Sequence, residues 1–232
     1  MNWESTSNHD WPGEISHLAA KEEVGGRIAA YVEDGQVIGV GSGSTARVAI
    51  QAIADRVRRE GLRVSAVCTS AEVALACAAA GIPITSLLQS RPDWYFDGAD
   101  EVDPARNMIK GRGGAMYLEK ILMRSAPKTF ILIDQSKLVS RLGEKFPVPV
   151  EISPVSLHLV ERELLRLGAV ETVLRPAKGK DGPVISENGN FILDVRFREI
   201  HPSLETEIKA ITGVIESGLF MGYAVELLIA GS

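Results

Sequence analysis

The strictest constraint in this sequence is a repeated passage from a short, wholly apolar run to an amphipathic stretch at helical spacing. Val37-Ile38-Gly39-Val40 is the first such run, of the kind that forms a parallel strand buried on both faces. It leads through Gly41-Ser42-Gly43-Ser44-Thr45 into a helical pattern over 46–59. The unit recurs as a strand at 62–67 and a helix at 71–80, then an extended piece at 82–84. A strand on Trp94-Tyr95-Phe96, a helix over 115–124 and a strand at 129–133 complete it. Such alternation predicts an α/β fold, a mostly parallel sheet with helices on both faces. Ahead of it, 18–32 has helical spacing with Gly25-Gly26 inside, a costly pair unless another backbone packs closely there.

From Phe146 the texture changes. Pro147, Pro149 and Pro154 mark a boundary. Beyond it the pattern predicts a helix at 156–167, a strand at 170–174, a basic loop at 175–183 and a hairpin over 184–197 that turns at Asn188-Gly189. A helix at 204–211 and strands at 214–220 and 223–229 follow. The expected division is a large unit from 1–146 and 214–232, whose sheet the last strands rejoin, and a small α+β unit from 147–213. A chain of 232 residues accommodates both.

Composition removes several classes of function. A net charge of −5 without a basic stripe argues against a nucleic-acid partner. No apolar run is long enough to cross a bilayer. The start, MNWESTSNHDWPG, has neither the basic opening nor the apolar centre of a secretory signal. It reads as a loosely held extension of a cytoplasmic protein. Cys68 and Cys77 lack CxxC spacing and are expected to be reduced and buried, while His9, His17, His158 and His201 are scattered, so no metal framework is visible.

Two segments carry the chemistry. After the 37–40 strand, the loop brings amides and the hydroxyls of Ser42, Ser44 and Thr45 to a helix N-terminus, which suits a phosphate. A loose dinucleotide pattern through Gly41, Gly43 and Ala46 is weak, because the next strand ends in Cys68-Thr69-Ser70 instead of an acidic residue. The second segment, Asp97 to Lys120, holds the carboxylates Asp97, Asp100 and Glu101, the amine of Lys110, a bend with Gly111, Gly113 and Gly114, and the pair Glu119-Lys120. Asp97 would stand at a strand's carboxyl end, where open α/β sheets place ligands, and Gly98 allows a sharp turn there. The bend would leave amides free at the start of a helix, with Glu119 about one turn in. Asp134 and Lys137 follow the 129–133 strand onto the same edge.

No redox cofactor, metal cage or Ser-His arrangement is visible, so these residues point to proton transfer on a phosphorylated small molecule, with no cofactor and no metal. Glu119 is the candidate base that moves a proton between the carbons of an enediolate. Lys110 and the bend amides are its oxyanion donors, and Asp97 and Asp100 shuttle hydroxyl protons and open a cyclic sugar.

In this order, GSGSTA, DGADE, the KGRGG-to-EK segment, IDQSK, ENGNFILDV and GLF closely resemble the type A ribose-5-phosphate isomerase family over nearly the whole chain. The resemblance implies metal-free interconversion of ribose 5-phosphate and ribulose 5-phosphate in the non-oxidative branch of the pentose phosphate pathway, with Glu119 as proton acceptor. It implies substrate contacts from Ser42, Gly43, Ser44, Thr45, Asp97, Gly98, Ala99, Asp100, Lys110, Gly111, Arg112, Gly113 and Lys137, with Lys21 near the phosphate. It also implies a Rossmann-like large domain carrying a small ferredoxin-like one, in a homodimer or homotetramer.

The sequence departs from the family pattern at two positions. Ser42 stands where threonine is usual and keeps the hydroxyl. Arg112 stands where glycine is common, and either points to solvent or reaches over the site and alters which sugar phosphate fits. That leaves a paralogous isomerase for another sugar phosphate open. A non-catalytic sugar-phosphate sensor is the rival from another class, weakened by the retained Glu119 and Lys110 and by the lack of a helix-turn-helix extension. Acyl-CoA transfer by Glu119 has no supporting feature.

Overall fold

The structure is a computed structural model in which residues 15–231 are described; His9 and the polar extension before Ile15 lie outside them. The first part of the chain runs α1 (Leu18–Ala29), β1 (Val37–Val40), α2 (Ser44–Glu60), β2 (Ser65–Cys68), α3 (Ala71–Ala79), β3 (Ile84–Thr85), β4 (Trp94–Asp97), β5 (Glu101–Val102), β6 (Met108–Ile109), α4 (Met116–Ser125) and β7 (Thr129–Ile133). The second runs β8 (Val148–Ile152), α5 (Leu157–Arg166), β9 (Ala169–Leu174), β10 (Phe191–Phe197), α6 (Leu204–Ala210), β11 (Val214–Ser217), β12 (Leu219–Phe220) and β13 (Glu226–Ile229).

Six strands form a parallel sheet in the order β13-β7-β4-β1-β2-β3. Strand alternation sorts its side chains between two cores. Trp94, Phe96, Phe130 and Leu132 pack with α1 and α2, whereas Tyr95, Ile131 and Ile133 pack with Met116, Leu122 and Met123 of α4. The Gly25-Gly26 pair is half explained by close packing: a Cβ on Gly25 would lie 3.4 Å from the Ala49 Cα of α2, whereas one on Gly26 would meet nothing within 4 Å. Strand order reverses between β1 and β4, so the loops leaving their carboxyl ends diverge and open a crevice. Among the described residues no helix is long and apolar enough to cross a membrane.

A second, antiparallel sheet has the order β11-β8-β10-β9, and its connection β8-α5-β9-β10-α6-β11 is that of a ferredoxin-like split βαβ unit. Val148, Val150, Ile152, Leu193 and Val195 form its core with Val160, Leu164, Leu204 and Ile208 of α5 and α6.

Two expectations about this part of the chain change. The Asn188-Gly189 turn is present, with Gly189 at φ 78° and its N–H on the Ser186 carbonyl at 3.0 Å. The first hairpin arm is not a strand, because β8 and β9 already occupy both edges of β10; only the bridge between Ile185 and Phe191 remains. The closing strands also do not rejoin the large sheet together. β11 pairs with β8, β12 joins β6 and β5 in a three-stranded sheet, and β13 alone extends the parallel sheet beside β7. Both cysteines are free; Cys77 is buried as expected, whereas Cys68 is only half-buried.

Candidate active site

The crevice between the β1 and β4 loops is a cavity of about 400 Å³. Every residue to which the family resemblance gave a catalytic or substrate-binding role lines it, whereas Glu101, Gly114, Lys120 and Asp134 do not. The Gly41 to Thr45 loop contributes Ser42, Gly43, Ser44 and Thr45, and β4 contributes Asp97 followed by Gly98, Ala99 and Asp100. Lys110, Gly111, Arg112 and Gly113 come from the bend, Glu119 from α4, Lys137 from the turn after β7 and Lys21 from α1.

One end of the cavity is built for an anion. Gly43, at φ 89°, caps α2 and starts the helix at Ser44, so the helix N-terminus faces the cavity with its partial positive charge. The Lys21 amine donates to Ser44 Oγ at 2.9 Å. Burial, followed by the nearby positive charge of Lys137, pulls the Lys21 pKa down; Asp134 opposes this and Arg112 adds to it. Three cations therefore converge at this end, an arrangement that a bound dianion would relieve.

The other end holds a buried cluster of acids around one amine. Lys110 Nζ lies 2.7 Å from Asp97 Oδ2 and 3.3 Å from Glu119 Oε2, and also donates to the Gly98 carbonyl. Burial disfavours its charge, but Asp97 and Glu119 outweigh burial and hold its pKa above the ordinary lysine value. Glu119 Oε1 accepts from Ser42 Oγ at 2.7 Å, whereas its buried Oε2 receives no hydrogen bond. Asp97 Oδ1 accepts from the amides of Ser42 and Gly98 at 3.1 and 2.7 Å. Burial and the Glu119 charge raise the Asp97 pKa to about 7 against the opposing pull of Lys110, and burial also raises that of Asp100. An acid poised near neutrality, as Asp97 is, can give and take protons under physiological conditions.

Two members of the sequence inventory face elsewhere. The Glu101 carboxylate accepts the amides of Gly143, Lys145 and Phe146 and orders that loop. Lys120 is bound by Glu205 at 2.7 Å, Glu216 at 2.9 Å and the carbonyls of Ser217 and Leu219, tying α4 to α6, β11 and β12. Lys120→Met leaves the largely buried Glu205 without its cation and Glu216 with only Lys209, 3.5 Å away, and is expected to lower unfolding stability by about 3–5 kcal/mol. Chemical denaturation checks this; a loss within experimental error would show that water solvates the acids instead.

Sequence reasoning missed four features here. Ile15 and Ser16 line the cavity from the described start of the chain, a position without any motif. Tyr95 sits beneath the site with its hydroxyl on Asp97 Oδ2. The signal for this was available, since residues two apart in a strand share a face. Gly41 is the fourth. A Cβ there would lie 2.1 Å from Asp97 Cγ, so Gly41→Ala must displace the carboxylate. We expect this displacement to lower turnover about 10²-fold. Steady-state kinetics on folded protein checks it, and unchanged kcat would mean that Asp97 need not sit where it does.

Among the described residues no three His, Cys, Asp or Glu side chains gather in a way that could hold a metal ion. The chemistry on offer is a carboxylate oxygen that receives no hydrogen bond, an amine beside it, one carboxylic acid, Asp97, raised to about 7 and a second, Asp100, raised by burial, all facing an anion seat.

The family model described as ribose 5-phosphate isomerase A (phosphoriboisomerase A) matches residues 65–232. A relative from Methanothermobacter thermautotrophicus, ribose-5-phosphate isomerase A, is 45% identical over 208 residues, 89% of this chain and 91% of its own length. The structure of ribose 5-phosphate isomerase A from Methanocaldococcus jannaschii superposes with a TM-score of 0.89 at 40% identity, covering 94% of this chain and 96% of that one. A D-ribose-5-phosphate isomerase in complex with phospho-erythronic acid matches with a TM-score of 0.88 at 38% identity over 91% of this chain and 94% of its own.

Proposed function

The chain belongs to the ribose 5-phosphate isomerase A family, and we propose that it interconverts D-ribose 5-phosphate and D-ribulose 5-phosphate in the cavity between β1 and β4. The observation that carries this reading is Glu119, held at Oε1 by Ser42 and without a hydrogen bond at its buried Oε2. A carboxylate fixed by a hydrogen bond at one oxygen, with the other ion-paired to Lys110 at 3.3 Å but receiving no hydrogen bond, is arranged as a proton acceptor.

The phosphate takes the seat formed by Lys21, Lys137 and the N-terminus of α2, with Ser44 and Thr45 as hydroxyl donors. Asp97 and Asp100 exchange protons with the sugar hydroxyls and open the ring. Glu119 removes the proton from C2, the C2–H electron pair forms the C1–C2 double bond, and the C1 oxygen takes up negative charge. Lys110 stabilises that charge together with the bend amides of Gly111 and Gly113, which no acceptor among the described residues uses. The O2 hydroxyl proton passes to O1, with Asp100 as the carrier, and Glu119 returns its proton to C1 as the C1–C2 double-bond pair takes it up, leaving a hydroxyl at C1 and the carbonyl at C2. A relative's complex with phospho-erythronic acid supports this reading, because a phosphorylated four-carbon acid carries a carboxylate where the enediolate would develop.

The test is turnover of four- to six-carbon aldose phosphates in the presence of EDTA. Ribose 5-phosphate is expected to be the preferred substrate at a rate that the chelator leaves unchanged. Preference for another sugar would make Arg112, which lines the cavity, a determinant of specificity. Chelator inhibition reversed by added metal would overturn the metal-free scheme. A cytoplasmic location and a homodimer or homotetramer belong to the same proposal and rest on the family likeness; light scattering on the purified chain tests the assembly.

A further inference from the structure

The reaction scheme leaves unused a partly buried ion pair that touches the catalytic bend. Arg175, just after β9, has its backbone fixed by its own N–H on the Ile192 carbonyl at 2.9 Å and by Val184 N–H on its carbonyl at 2.9 Å. Its Nε and Nη2 grip both oxygens of Asp194 in β10, the Nε bond being 2.8 Å. The remaining Nη1 reaches out of the small sheet to the active-site bend, donating to the Gly111 carbonyl at 3.2 Å and the Arg112 carbonyl at 2.9 Å. The side chains of Arg175 and Asp194 are 14% and 23% exposed, so water competes weakly for the bonds between them.

In a planar trans peptide the carbonyl and the following N–H point in opposite directions. Holding the Gly111 carbonyl on Arg175 therefore turns the Arg112 N–H away from it, and that N–H donates to Asp100 Oδ2 at 3.2 Å. Holding the Arg112 carbonyl turns the Gly113 N–H to the same side, where Gly113 lines the cavity. A second contact from the same strand braces the bend: a Cβ on Gly114 would come within 2.9 Å of Ile192 Cδ1. Gly111 and Gly114, at φ 93° and 84°, supply the backbone freedom that this orientation needs.

We propose that Arg175, anchored by Asp194, is a positioning residue for the isomerisation, setting two peptide planes so that one amide fixes Asp100 and the other faces the developing enediolate. The inference rests on the isomerase reading above. Only a guanidinium can hold a carboxylate with two N–H groups and still present a third, so lysine is not an equivalent. A charged donor on two carbonyls also polarises the peptides and strengthens their amides as donors.

Kinetics of wild type, Arg175→Met, Arg175→Lys and Asp194→Asn with ribose 5-phosphate test it, alongside inhibition by phospho-erythronic acid and by inorganic phosphate. Arg175→Met and Arg175→Lys are expected to lose about 10–100-fold in kcat, and binding of phospho-erythronic acid to weaken in step. KM and inhibition by inorganic phosphate should stay close to wild type, because Lys21, Lys137 and α2 are untouched. Asp194→Asn should fall between, and methylguanidinium should restore part of the lost kcat in Arg175→Ala. Wild-type kcat in the variants, with only a lower melting temperature, would reduce the pair to a structural tie and overturn the inference. Should Arg175→Met fail to fold, Asp194→Asn carries the same decision. An inactive wild type would overturn the isomerase reading and this inference with it, whereas active wild type with unaffected variants strikes the inference alone.

Discussion

Glu119→Gln is expected to lower kcat for ribose 5-phosphate about 10²–10⁴-fold, the usual worth of a positioned base, while KM changes little. The amide has nearly the shape of the carboxylate, and its oxygen can still accept from Ser42 Oγ, so the cavity keeps its walls. What disappears is the unclaimed oxygen that takes a proton. The second position turns from acceptor to donor beside the Lys110 amine, 3.3 Å away in the parent protein, so the change in KM is expected to be small beside the loss in kcat. Following ketose formation under saturating substrate, with phospho-erythronic acid binding in parallel, separates the two effects. A variant that turns over normally would remove Glu119 from the chemistry.

Lys110→Met should be comparably severe for two separate reasons. If Lys110 is the charged donor to the developing oxyanion, its removal costs about 2.7–4 kcal/mol of transition-state stabilisation. Lys110 is also the only amine ion-paired with both Asp97 and Glu119 among the described residues. Without it two buried carboxylates lose their counter-charge, and breaking a buried pair in this way costs about 3–5 kcal/mol of stability. The Asp97 pKa, already raised to about 7, moves further up because the charge that pulled it down is gone. A carboxyl group whose folded pKa exceeds its unfolded value favours the folded state below the unfolded pKa, and that stabilisation is lost as pH rises through the folded pKa. The variant is therefore expected to be least impaired in stability at acidic pH and most impaired above about neutrality. Denaturation at several pH values together with kcat measurements checks both parts. A loss of activity without any loss of stability would mean that the acids take up protons at little cost.

The parallel sheet was legible because buried parallel strands are continuous apolar runs and each helix between them shows its own period. The catalytic cluster was legible for a related reason. Ser42 and Asp97 sit just beyond or at the carboxyl ends of the adjacent strands β1 and β4, where the topology parts the two loops and opens a crevice between them. Direct neighbours in sequence misled for geometric reasons. Successive residues on a helix point about 100° apart, so Glu119 enters the cavity and Lys120 is turned towards Glu205 and Glu216. Glu101 likewise parts from Asp100 to order the loop around Gly143.

The 214–220 segment was read as one strand because nothing in its apolar pattern reveals a change of sheet. The break is at Gly218, whose N–H donates to the Pro149 carbonyl at 2.7 Å while its own carbonyl accepts from the Lys110 amide at 2.9 Å. A Cβ there would stand 2.2 Å from the Lys110 carbonyl oxygen, so the glycine is the crossing point between the second sheet and the catalytic bend. Arg175 was hidden in the same way. In sequence it belongs to a basic surface loop, and only the packing of the small sheet against the bend gives it a partner in the site.

The most direct test of the account is entry of deuterium from D2O into the carbon-bound positions of ribose 5-phosphate and ribulose 5-phosphate, followed by proton NMR with wild type and Glu119→Gln side by side. The account predicts that wild type washes deuterium into the position that gains a proton in isomerisation, and that exchange and turnover fall together in the variant. Exchange continuing at the wild-type rate in Glu119→Gln would place the base elsewhere and contradict the account.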